Sequence, residues 1–256
     1  MKSLPRLFLL AILLLSGSSV RASLLSSISY FSCGTPCPTV VNSSAQDTSA
    51  LGFSDQYGSI FAQAGYGVLK ASVDSSFIGA PGGGFISMST GSSLAQFSDT
   101  VTLGGLGGPH EITVVLHFEG TLGAAGEETQ GTSASMTVSL TVDGHNTALI
   151  ADFFGNLPEL QASADGPALS ATFTLDYGVP ISLEALLQVS GTFGGFAHFG
   201  NTATLEFLVP EGTTILSGAG AEYLATAVAI PEPATFALLV LGLAALSATR
   251  NRYRHA

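Results

Sequence analysis

The sequence predicts an all-β fold, an antiparallel β-sandwich of jelly-roll-like design. Three observations carry that expectation: runs in which apolar and polar residues alternate with period two, Gly/Pro/Asp punctuation at short intervals between them, and no amphipathic helical stretch among them. Strands that bury one face and wet the other suit antiparallel sheets; parallel strands, covered on both faces, read as continuous apolar runs.

The body runs from Ser23 to Ile230, long enough for one sandwich with a sizeable core, and is read as a single domain with an irregular N-terminal segment. Ser43 to Gly67 is polar and Gly/Ser/Ala-rich with scattered aromatics, an irregular wrap that can still contribute a strand. Weak alternation marks Val68 to Val73 and Phe85 to Ser89, and a clearer run covers Leu94 to Leu103. Glu111 to Glu119 sets Ile112, Val114, Leu116 and Phe118 on one face, with His117 and Glu119 together on the other. Gly120 to Ser135, holding Glu127 and Glu128, reads as an exposed hairpin loop. Ser135 to Val142 alternates cleanly, with Met136, Val138, Leu140 and Val142 inward. Asp143-Gly144 is a hairpin turn signal ahead of a weaker run, Ala148 to Phe154. Ala171 to Tyr177, Ile181 to Val189 and Ala203 to Val209 complete about nine strands. Ala219 to Ile230 either supplies a last strand or leads to the C-terminal segment.

Charge narrows the partners. Within Ser23 to Ile230, 17 carboxylates face one lysine, Lys70, so the formal charge of the body is near −16. Such a surface repels phosphate backbones, and nucleic acid is excluded as a partner. It suits divalent cations and neutral or amino sugars, and equally plain solubility outside the cell.

Cys33 and Cys37 are the only cysteines, spaced Cys-Gly-Thr-Pro-Cys. In an exported chain they are expected to form a local disulfide, whose small loop adds modest stability. No further Cys or His stands near them before His110, so a metal site there lacks ligands.

The sequence carries no recognisable catalytic pattern. There is no His-Glu-x-x-His, no Gly-x-Ser-x-Gly and no phosphate loop, and Gly104 to Gly108 lacks the spacing of a dinucleotide site. His198, between Phe196 and Phe199, is a candidate for a sugar-stacking face, although the chain has no Trp. Acidic loops at Asp143 to Asn146 and Asn156 to Asp165 offer oxygen ligands for Ca²⁺; no other cofactor is expected. A structural or adhesive, non-enzymatic role is the leading expectation, with a glycan- or calcium-binding module as the alternative and a secreted hydrolase behind both.

The two ends read as topogenic signals. Lys2 and Arg6 precede the apolar run Leu7 to Leu15, and small residues lead to a cut between Ala22 and Ser23, with the Ser16 to Ser19 region as the alternative; residues 1–22 are a signal peptide. At the other end stands Pro231-Glu232-Pro233, then a transmembrane helix over 234–249, then a basic tail over 250–256 with Arg250, Arg252 and Arg254. Pro233 suits the first turn of a helix. The uncharged stretch Ala234 to Ala248 spans roughly 22 Å at about 1.5 Å per residue. That is short of a hydrocarbon core of about 30 Å, a marginal span of the kind a temporary anchor needs. The arginines stay in the cytoplasm and the body lies outside.

Pro231-Glu232-Pro233-Ala234-Thr235, the Leu/Ala/Gly run and the terminal arginines resemble the PEP-CTERM sorting signal of Gram-negative bacteria, also called the ice-binding protein C-terminal motif. The resemblance covers about a tenth of the chain. It implies recognition by a membrane-embedded exosortase, cleavage near the Pro-Glu-Pro, and delivery to the cell surface or exopolysaccharide matrix. It implies nothing about the chemistry of the body.

Overall fold

The computed structural model of the chain describes residues 22–34, 39–79, 85–124, 132–154, 160–162 and 168–228. Strands make up nearly all of them. In chain order these are β1 (Ser23–Cys33), β2 (Thr39–Ala45), β3 (Leu51–Asp55), β4 (Gly58–Gly65), β5 (Val68–Ser75) and β6 (Phe77–Gly79). Next come β7 (Phe85–Gly104), β8 (Pro109–Phe118), β9 (Gly120–Ala124), β10 (Ser133–Val142), β11 (His145–Phe154) and β12 (Leu160–Ala162). The last are β13 (Ala168–Asp176), β14 (Pro180–Thr192), β15 (Gly195–Pro210), β16 (Thr214–Ser217) and β17 (Leu224–Val228).

They form two sheets. The first runs β11-β10-β14-β7-β1-β2, with β6 and β16 also paired to β7. The second runs β12-β9-β15-β5-β4-β3; β8 also pairs β15 and carries β13, and β17 joins β15. The all-β expectation holds, and the described pairings are antiparallel except β15–β17, which is parallel.

Period-two burial builds the core between the sheets. Met136, Val138, Leu140 and Val142 of β10 face Leu183, Ala185, Leu187 and Val189 of their neighbour β14 on the inward side, as the alternation requires. The Asp143-Gly144 turn holds both residues at positive φ, 48° and 80°, the geometry a tight two-residue hairpin needs.

The N-terminal segment departs from the sequence reading. Ser43 to Gly67, expected as an irregular wrap that can still contribute a strand, holds the end of β2 and all of β3 and β4, and ahead of it β1 lies inside its sheet between β7 and β2. Its inward row is Leu24, Ser26, Ile28, Tyr30 and Ser32, all buried, so serines interrupt the apolar signal. Those serines are there because the sheets close on each other within reach of one small side chain. Ser26 Oγ accepts the Ala64 N–H at 2.9 Å, Ser93 Oγ donates to the Phe61 carbonyl at 2.6 Å, and Ser89 Oγ donates to the Tyr57 carbonyl at 2.7 Å. For the same reason the runs at Phe85 and Leu94 are one strand, β7, whose middle residues Gly91, Ser92 and Ser93 carry no apolar pattern.

Two further expectations are corrected. The expected loop after Gly120 begins with β9, whose Leu122 is buried; β9 and β8 lie end to end along β15. Glu119 falls in the break between them rather than on a strand face beside His117. Glu127 and Glu128 lie outside the described residues. Among the described residues no helix is long and apolar enough to cross a membrane; all of the signal peptide read over 1–22 except Ala22, and the transmembrane helix read over 234–249, lie outside them.

Candidate functional site

The outward face of the second sheet carries both of the histidine–carboxylate pairs found among the described residues. Along β15, Ala197, Phe199, Ala203, Leu205 and Phe207 point inward, which leaves Phe196, His198 and Glu206 outward. Cross-strand neighbours complete two clusters.

The first cluster joins β4, β5 and β15. His198 Nε2 lies 2.6 Å from Asp74 Oδ1, and Ser59 Oγ donates to Asp74 Oδ2 at 3.0 Å. The Phe196 ring stacks on the His198 imidazole with centroids 4.9 Å apart. Both charged partners are about half exposed. The bond to Asp74 raises the His198 pKa, and the same bond holds the Asp74 carboxyl below its ordinary range. The second cluster joins β8, β15 and β17. His117 Nε2 lies 2.8 Å from Glu206 Oε2, and Thr226 Oγ1 donates to Glu206 Oε1 at 2.5 Å. The Thr226 hydroxyl first, and His117 second, hold the Glu206 carboxyl low. His117 thus finds its carboxylate on the neighbouring strand β15 rather than at Glu119.

Two more carboxylates are structural knots. Asp99 is fully buried and accepts from the Thr100 and Ala219 N–H groups, Ser217 Oγ and Tyr223 OH. Burial and then the bond to Asp99 push the Tyr223 phenol far above its ordinary pKa. Asp55 accepts from Tyr30 OH, Ser32 Oγ and the Tyr57 N–H. Burial works to raise its carboxyl, yet those bonds outweigh it and leave the pKa low.

The chemistry these groups can do is limited by how they are wired. Ser59, Asp74 and His198 are the residue types of a nucleophilic relay, but the hydroxyl donates to the carboxylate and not to the imidazole. A histidine base cannot take a proton from a hydroxyl it does not touch. Among the described residues no group of three His, Cys, Asp or Glu is placed to hold a metal ion. The first loop considered for Ca²⁺, Asp143 to Asn146, is a tight hairpin whose Asn146 amide donates to Thr141 Oγ1 at 2.9 Å. The other, Asn156 to Asp165, lies mostly outside the described residues. A shallow cleft of about 350 Å³ is lined by Ala22, Ser23, Leu24, Leu25, Gln46 and Gln96, none of which titrates.

Of the residues singled out in the sequence, Cys33 ends β1 and is disulfide-bonded. Cys37, Pro231, Glu232, Pro233, Arg250, Arg252 and Arg254 lie outside the described residues. Asp74, Glu206, Thr226 and Asp99 escaped the sequence reading, because nothing in a single strand says which strand lies beside it.

The described body is therefore a two-sheet β-sandwich with two histidine–carboxylate clusters on the outward face of one sheet. Its address is carried elsewhere: a family model of the PEP-CTERM protein-sorting motif matches residues 229–252. That motif marks an exported protein sorted by exosortase, with transient anchoring in the membrane of a Gram-negative bacterium. The chain matches no curated protein.

Proposed function

We propose that the protein is a cell-surface or exopolysaccharide-matrix component whose β-sandwich acts structurally or by adhesion, without turnover. In this reading the signal peptide is cut near Ser23, the stretch 234–249 holds the precursor in the membrane, and exosortase cuts near Pro231-Glu232-Pro233. One observation supports the non-catalytic part: in both outward histidine–carboxylate clusters each carboxylate oxygen is already engaged by a neighbour, Asp74 by His198 and Ser59, and Glu206 by His117 and Thr226. A catalytic acid or base needs a free valence aimed at substrate.

A second reading, a glycan-binding module, is supported by the Phe196 ring stacked on His198 beside an outward carboxylate. Incubating the purified exported protein with polysaccharides, peptides and esters, with and without Ca²⁺, separates the readings. No product is expected. Binding to a polysaccharide that is lost in Phe196→Ala favours the module, and turnover abolished by substitution of Asp74 or Glu206 overturns the non-catalytic proposal.

A further inference from the structure

The last residues of the sandwich divide into two unlike parts. Ser217 to Tyr223 is locked down. Asp99 accepts from Ser217, Ala219 and Tyr223, the Gly218 N–H donates to the Thr100 carbonyl at 2.7 Å, and the Tyr223 ring packs edge-on against Phe207 at 5.5 Å.

Beyond Tyr223 the hold changes. All five residues of β17 are exposed, Leu224 at 62% and Val228 at 47% among them, so no side chain reaches the core. β17 is held by a parallel ladder to β15 and by one side-chain bond, Thr226 to Glu206. Parallel ladders are the weaker kind. A strand secured by one ladder and no buried side chain belongs to the low-stability end of a fold.

The sorting motif begins at residue 229, immediately after β17. With β17 on its sheet, Val228 is three residue steps from Pro231, a reach of at most about 10 Å at roughly 3.5 Å per step. With β17 detached, the anchor point retreats to Tyr223 and the reach grows to about 28 Å over eight steps. The sandwich carries a formal charge near −16 from 17 carboxylates and one lysine. Held within about 10 Å of a membrane enzyme, it crowds the bond to be cut and keeps that charge within about a screening length of the bilayer.

We propose that β17 is a detachable strap: it leaves β15 when the sorting motif is processed, and Leu224–Val228 then lengthens the tether between the sandwich and the enzyme while the Asp99 clamp keeps the sandwich folded. This rests on the exosortase reading.

The test locks the strap in the full-length chain, expressed in a host with its exosortase. Leu208 and Thr226 are partners across β15 and β17, so Leu208→Cys/Thr226→Cys joins the two strands when oxidised. The oxidised pair is expected to accumulate as unprocessed precursor, at least about tenfold over wild type, while each single variant is processed normally. Inserting eight Gly/Ser residues after Val228 in the locked pair is expected to restore processing, because reach no longer depends on β17. Wild-type processing of the oxidised pair, or a block that persists with the spacer, overturns the strap alone. Retention of the C-terminal segment by the wild type overturns the exosortase reading and the strap with it.

Discussion

Replacing Asp99 by alanine strips the acceptor from a buried knot that ties β16 and the segment up to Tyr223 onto β7. The carboxylate takes the Thr100 N–H at 2.7 Å, the Ala219 N–H at 3.0 Å, Ser217 Oγ at 2.5 Å and Tyr223 OH at 2.7 Å. A buried donor left without its partner costs about 1–3 kcal/mol. Two of the four have relief: the Ser217 hydroxyl can rotate, and the Ala219 N–H has a second acceptor in Ser217 Oγ at 3.1 Å. Removing a buried charge also returns some desolvation energy. The Tyr223 hydroxyl is left without its acceptor and the Thr100 N–H loses one, which sets the net loss at about 3 kcal/mol. Tyr223→Phe removes one charge-assisted bond and should cost about 1.5 kcal/mol. Urea unfolding of residues 23–228, followed by far-UV circular dichroism, measures both, with the slope unchanged if only stability moves. An Asp99→Ala loss below about 1 kcal/mol would refute the reasoning, because solvent would then have to reach the knot.

The same geometry sets further expectations. Gly195→Ala sets a Cβ 1.9 Å from the Ser133 carbonyl oxygen, whereas at Gly91 the nearest atoms are side-chain carbons 3.2 to 3.3 Å away; the first should cost about 3 kcal/mol and the second under about 1 kcal/mol in the same unfolding assay. For the His198–Asp74 pair, the raised histidine adds stability below its unfolded pKa of 6.5 and loses it as pH rises through the folded value. The lowered carboxyl adds stability above its unfolded 3.8 and loses it as pH falls through the folded value. Asp74→Asn should therefore cost most between pH 4 and 6 and less once the pH has risen through the raised His198 value, staying under about 1 kcal/mol because both groups are half exposed. A pH-independent difference would contradict the pairing. Oxidised protein should show no thiol to an alkylating reagent, and Cys33→Ser should free one and cost about 2 kcal/mol.

The sequence disclosed most where physics acts within one strand. Alternation placed Met136 to Val142 inward because side chains on a strand have period two, and Asp143-Gly144 marked its turn because both residues tolerate positive φ. It failed where a residue's role depends on what lies across the gap. Ser26, Ser89 and Ser93 look like surface serines, yet they bridge the sheets where these approach closely, so β1 and the middle of β7 carried no apolar signature. Sequence distance hides the site in the same way: His198 and Asp74 are 124 residues apart, and His117 and Glu206 are 89 apart. Their meeting depends on β15 lying between β5 on one side and β8 with β9 on the other. The parallel seat of β17 was equally illegible, since its five exposed residues give no periodic burial to read.

The most direct test of the account is the intact mass of the exported protein, taken from a host with its exosortase and from the same host without it. With the enzyme, the mass should fit a chain starting near Ser23 and ending near Pro231-Glu232-Pro233, released from the membrane fraction. Without it, the full C-terminal segment through Arg254 should remain and the protein should stay membrane-bound. Identical masses in both hosts, with the tail retained, would contradict sorting through this motif.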